Sequence, residues 1–297
     1  MTTRRLATDG AEITYDVRGP LPPADGRPVL LMIGQPMTAE GFTTLASHFP
    51  DRTVVTYDPR GLGRSTRSDG RVDHTPDVQA ADLHALIATL GVGSVDLFAS
   101  SGGAVTALEL VSAHPGDVST LVAHEPPILG VLPDAEAAAR ARTGYYDAYM
   151  RGGHNYGMAA FIAMTSWSGE YTDAYFAQGT PDPSVFGMPR GDDGTRDNPL
   201  LSDRSWAITD YMPDVAALTA APTRVIIAVG EETGDTLTGR TARAVATLLG
   251  QDATVFPSHH GGFLGGEHGY AGQPEAFAAR LREVLAGQFV GASGMQD

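Results

Sequence analysis

One rhythm constrains the fold more than any other feature. In the first half of the chain, short and almost wholly apolar runs alternate with amphipathic segments. Residues 28–34 (PVLLMIG) and 52–58 (RTVVTYD) are runs of the first kind. A run that is apolar on both sides of the pleat belongs to a strand covered on both faces. Residues 77–90 instead place Val78, Ala81, Leu83, Leu86, Ile87 and Leu90 at helical spacing, and Gly91 stands where such a helix ends. A strand over 94–99, a helix over 103–114 stopped by Pro115-Gly116, and a strand over 118–124 follow. Two weaker strand-like runs, 4–7 and 12–17, open the chain. Strand, helix and strand at this spacing require right-handed crossovers and a parallel sheet.

The rhythm breaks after residue 130. Residues 133–152 and 156–167 read as helices, and 179–197 are rich in Gly, Pro and Asp. Strands return at 223–229 and 253–256, with helices at 240–249 and 274–285. The expectation is an α/β core domain of residues 1–130 and 218–297, interrupted by a mainly helical cap of residues 131–217. Insertions in such sheets sit above the strand C-termini, where ligands bind. Residues 291–297 are expected to fray.

Composition narrows the chemistry. There is no Cys, which removes disulfides, thiolate ligands and a cysteine nucleophile together. The formal charge is −15, and all 20 basic residues are Arg. A surface this negative disfavours nucleic acid and anionic lipid as partners. No run is long and apolar enough to span a bilayer, and no secretory leader is legible, so a cytoplasmic protein is expected. HExxH, the P-loop and a GxGxxG after a strand are all absent from the sequence. No metal, no nucleotide and no other cofactor are therefore expected, and the expected partner is a small-molecule substrate.

The strongest local motif is Ala99-Ser100-Ser101-Gly102-Gly103, between a predicted strand and a predicted helix. A nucleophile elbow needs small residues two before and two after the nucleophile, because larger side chains would strike the adjoining strand and helix. Ala99 and Gly103 meet that need around Ser101. The turn puts the serine oxygen at a helix N-terminus and leaves the Gly102 N–H facing a developing oxyanion. The alternative is an ordinary Ser/Gly turn capping a helix. Ile33-Gly34-Gln35-Pro36 follows the first long strand, the place from which a second oxyanion donor comes, which nominates the Gln35 N–H. Asp58-Pro59-Arg60-Gly61-Leu62-Gly63-Arg64-Ser65 follows the next strand and reads as a structural turn with an exposed Arg.

Taken together, Gly34-Gln35-Pro36, the Asp58–Ser65 string, the elbow and a late His resemble the α/β-hydrolase fold family over about residues 10–130 and 220–290. The resemblance implies a mostly parallel eight-stranded sheet flanked by helices, a cap, and a triad in the order nucleophile, acid, His. Ile33 departs from the His that many members carry there. The resemblance favours His260 as the base over His259, with His268 third. The acid is ambiguous. The usual offset falls on Thr233, which carries no charge. Some members place a Glu after the strand that follows the elbow helix, and here that residue is Glu125; Glu232 and Asp235 are the alternatives.

These residues describe a serine hydrolase acting on the acyl group of a small, partly apolar ester, thioester or lactone. Ser101, His260 and Glu125 are its catalytic residues, and Gln35 and Gly102 its oxyanion hole. Three other readings stand beside it. One is a non-hydrolytic relative (cyclase, transacylase or carbon–carbon lyase), another a ligand-binding module on the same fold, and the third a lyase or isomerase using His260 without covalent chemistry. Tyr145, Tyr146, Met150, Phe161, Met164, Trp167 and Trp206 line either a pocket or the core of the cap.

Overall fold

The structure is a computed structural model that describes residues 1–269 and 271–287. The expectation for residues 291–297 lies outside the described residues, as does the side chain of His268.

The chain opens with an antiparallel hairpin, β1 (Thr2–Thr8) and β2 (Ala11–Arg18). Then come β3 (Leu30–Ile33), α1 (Thr43–Ser47), β4 (Val54–Tyr57), β5 (Thr66–Arg67) and α2 (Pro76–Leu90). Next are β6 (Val95–Ser100), α3 (Gly102–Ala113) and β7 (Val118–His124). A long helical segment follows, with α4 (Ala135–Gly152), α5 (His154–Ser166), α6 (Asp173–Phe176), α7 (Trp206–Thr209) and α8 (Val215–Ala220). The sheet then resumes with β8 (Arg224–Gly230), α9 (Leu237–Leu248), β9 (Thr254–Phe256) and α10 (Pro274–Leu285). The strand order is β1-β2-β4-β3-β6-β7-β8-β9, with the two-residue β5 joined to β2. From β4 to β9 every pairing is parallel, while β2 is antiparallel to its neighbours. The sheet thus has nine strands where eight were expected, because β5 is too short to show a period of two.

Both faces of the parallel strands are covered, as their continuous apolar runs require. Leu31, Ile33, Leu97, Ala99, Leu121 and Ala123 point to one side and pack with α2, α3 and α9. Their sequence neighbours Leu30, Met32, Phe98 and Val122 point to the other and pack with Phe277 and Leu281 of α10. That division is the strand period of two. Gly91 ends α2 in the left-handed conformation, φ 66°.

The helical segment between β7 and β8 has its own small core of Ala138, Tyr145, Tyr149, Met164 and Leu201. It is tied to α9 by the Asp134–Arg240 ion pair and by a hydrogen bond from Arg240 to the Gly169 carbonyl, 2.8 Å. Among the described residues no helix is long and apolar enough to cross a membrane.

Candidate active site

The turn from β6 into α3 consists of one residue. β6 ends at Ser100, α3 starts at Gly102, and Ser101 between them has φ 56° and ψ −129°. Only three non-glycine residues among those described have positive φ: Ser101, Glu125 and Ser258. Each such residue costs on the order of 1–3 kcal/mol, and such strain collects at functional sites. The Ser101 N–H donates to the His124 carbonyl, 2.9 Å, which pins the turn to the end of β7. The two glycines that follow are required by close approach. A Cβ on Gly103 would lie 2.7 Å from the Gly34 Cα, and one on Gly102 would lie 2.7 Å from the Gln35 carbonyl oxygen. The start of α3 is therefore pressed against the loop after β3, which carries Gln35. The Gln35 and Gly102 N–H groups make no backbone hydrogen bond outside regular elements. Ile208 of α7 reaches the same place, with its Cγ2 3.1 Å from a Cβ built on Gly102.

The turn after β9 carries His260. His260 Nδ1 lies 2.6 Å from Glu125 Oε2. Glu125 directly follows β7, is fully buried, and has φ 51°. Its carboxylate also accepts from the Gly230 N–H (2.8 Å) and Thr233 hydroxyl (2.6 Å) on Oε1, and from the Thr238 hydroxyl (2.7 Å) on Oε2. Burial alone would push this carboxyl up. The neighbouring His124, the hydrogen bond from His260 and the Thr233 hydroxyl outweigh it and hold the group below the usual carboxylate range. An ionised partner at Nδ1 fixes that nitrogen as the N–H and leaves the Nε2 lone pair to take a proton.

His124 sits between the two parts of the site. Its Nδ1 lies 3.2 Å from the Ser100 hydroxyl, and its ring stacks on that of His260 at 5.9 Å. Burial pulls it down to about 4, so it is neutral at pH 7. The Ser101 hydroxyl has no hydrogen-bond partner among the described residues.

The other candidates are placed elsewhere. His259 Nδ1 accepts the Gly261 N–H, 3.0 Å, and closes its own turn. Glu232 accepts from Ser258 and from Gln273 (3.0 Å). Asp235 is exposed and faces Arg243. None of these three is bonded to His260.

Residues 27–188, more than half of the chain, match the family described as alpha/beta hydrolase fold. The chain belongs to the α/β-hydrolase fold family. An uncharacterized hydrolase, YraK, of Bacillus subtilis (strain 168) is 27% identical over 285 residues, 94% of each chain. A proline iminopeptidase of Xylella fastidiosa (strain 9a5c) is 32% identical over 98 residues, 33% of this chain and 31% of that one. Among solved structures, a thermophilic esterase from Thermogutta terrifontis superposes with a TM-score of 0.63 at 22% identity, covering 97% and 99% of the two chains. The enol-lactonase from Burkholderia xenovorans LB400 does so with a TM-score of 0.60 at 16% identity, covering 95% and 100%.

Within this α/β hydrolase, sequence reasoning missed the groups that hold Glu125. Thr233 occupies the offset where the resemblance would place an acid, and its hydroxyl donates to the Glu125 carboxylate just after β7. The signal in the sequence is a Thr at one acid position and a Glu at the other. The Asp58–Ser65 string does carry an exposed arginine, Arg64, but Arg60 is buried, and grips Asp82 of α2 with two hydrogen bonds of 2.8 and 2.7 Å. Arg64 is the more exposed arginine of that string and pairs with Asp58 and Asp16. Of the aromatics in the helical segment between β7 and β8, Tyr145 packs edge-to-face on Phe161, and Tyr146 on Trp206, whose ring also lies under Arg142. Met150 is exposed.

Proposed function

We propose that the protein is a serine hydrolase that cleaves an acyl bond of a small, partly apolar molecule through Ser101, His260 and Glu125. The observation that carries this reading is the buried Glu125 carboxylate on His260 Nδ1, beside a serine held at positive φ between a strand and a helix. His260 Nε2 takes the Ser101 proton as the serine oxygen bonds to the acyl carbon. The N–H groups of Gln35 and Gly102 receive the negative oxygen. Collapse breaks the bond to the leaving group, which departs with the proton from His260. Water then repeats the cycle and releases the acid. The helical segment 131–217 acts as the cap, with Ile208 forming an apolar wall beside the oxyanion donors. Fold relatives named esterase and enol-lactonase, and a proline iminopeptidase similar over a third of the chain, support an acyl carbon as the reacting centre.

The test is intact mass after incubation with a fluorophosphonate. Wild type gains one adduct and Ser101→Ala gains none. Wild type that stays unlabelled while a control serine hydrolase reacts would remove the nucleophile and favour a binding module.

A further inference from the structure

α2 and α3 lie side by side on the sheet, and three ligand-type side chains meet at the end of α3 remote from Ser101. His84 is on α2, His114 directly follows α3, and Asp117 directly precedes β7. The turn between the last two is fixed. The Asp117 N–H donates to the His114 carbonyl, 3.1 Å, and the Asp117 carbonyl accepts from Val95 of β6, 2.9 Å. His84 Nδ1 reaches Asp117 Oδ2 at 2.7 Å, and the His84 and His114 rings stack at 3.8 Å and 8°. One ligand atom from each of the three residues lies within 4.8 Å of the other two. It is the one such cluster among the described residues.

We propose that His84, His114 and Asp117 bind a divalent transition-metal ion of the Zn2+ type. Two imidazoles and one carboxylate suit zinc, nickel or copper, whereas magnesium and calcium demand oxygen. Ligand atoms around tetrahedral zinc stand about 3.3 Å apart, given bonds of about 2.0–2.1 Å. To reach this the cluster contracts and the stacked rings splay. His84 can supply the movement by turning into solvent, because its side chain is 45% exposed. The rings are too close for an ion between them, so it sits at their edges beside Asp117, with water completing the shell. α3 spans 12 residues, about 18 Å, between Ser101 and this cluster, so no step of acyl transfer passes through the ion. Its effect is to clamp α2 to the turn between α3 and β7, and ligand binding to the native state alone raises stability. The ion site stands independently of the acyl chemistry at Ser101.

The test is calorimetric titration of chelator-treated full-length protein with ZnCl2 at neutral pH. One site per chain with micromolar affinity is expected, and MgCl2 gives no binding. His84→Gln and His114→Ala each weaken the site by about tenfold or more, while His154→Ala in the cap leaves it unchanged. Zn2+ raises the Tm of wild type and not that of His84→Gln, whose Ser101 labelling stays at the wild-type rate. His84→Gln changes a half-exposed helix position, so the test survives if His114→Ala does not fold. No saturable site, or a site that neither substitution weakens, overturns the proposal.

Discussion

A carboxylate with no exposure stays ionised only if its surroundings replace water. Glu125 has four donors within 2.8 Å, from Gly230, Thr233, Thr238 and His260. Three come from the segment between the end of β8 and the start of α9, so the carboxylate is oriented independently of His260. The amide of Glu125→Gln keeps the shape but removes the charge, and its NH2 would face either the His260 N–H or the hydroxyl donors. An imidazole in the wrong tautomer cannot take the serine proton, the loss that follows when a triad Asp becomes Asn. Glu125 is legible as a candidate acid because Thr233 lacks a charge and some members of the resembled family place a Glu after this strand. That Thr233 turns to serve Glu125 depends on two loops 108 residues apart, which no local pattern encodes.

At the scale of elements, the Asp58–Ser65 string is an anchor. Asp58 accepts from the Ala39 N–H and from Arg64, while Arg60 joins the turn to α2 through Asp82. Arg60→Ala strands the Asp82 charge in the interior and is expected to cost about 3–5 kcal/mol. Denaturant melts check this, and Arg60→Met with Asp82→Leu should recover most of the loss. A cost under about 1 kcal/mol for the single change would contradict the pairing. The long elements are legible in the sequence alone, because strands buried on both faces and helices of a dozen residues show their periods. β5, α1, α6, α7 and α8 are not, since two to six residues cannot display a repeat. That Arg60 is the buried arginine of the string is not legible, because its partner is 22 residues away on another element.

At the scale of the whole molecule, buried histidines make the fold acid-sensitive. His124 and His74 are both buried, and burial is the main cause that brings each from 6.5 to about 4; Arg67 and Arg204 add to it at His74. The unfolded chain takes up these protons near 6.5 and the folded chain only near 4. Acid therefore favours unfolding across that window, by roughly 3 kcal/mol per histidine at pH 4. Glu125 acts in the same direction lower down: its depressed value stabilises the fold above its ordinary 4.5, and that contribution fades as pH falls below it. Melts of wild type and His74→Gln at pH 7 and pH 4 check this. The variant should lose less stability on acidification by about that amount, and an equal loss in both would contradict it.

The central claim is that one triad joins the elbow, the end of β7 and the turn after β9. It is tested most directly by the second-order rate of fluorophosphonate labelling of Ser101 in Glu125→Gln, with Glu232→Gln beside it. Glu125→Gln should label on the order of a thousandfold or more slower than wild type, and Glu232→Gln within about threefold of wild type, since Glu232 serves Ser258 and Gln273 instead. Wild-type labelling in Glu125→Gln, or a collapse in Glu232→Gln alone, would contradict the account and move the acid to the loop after β8.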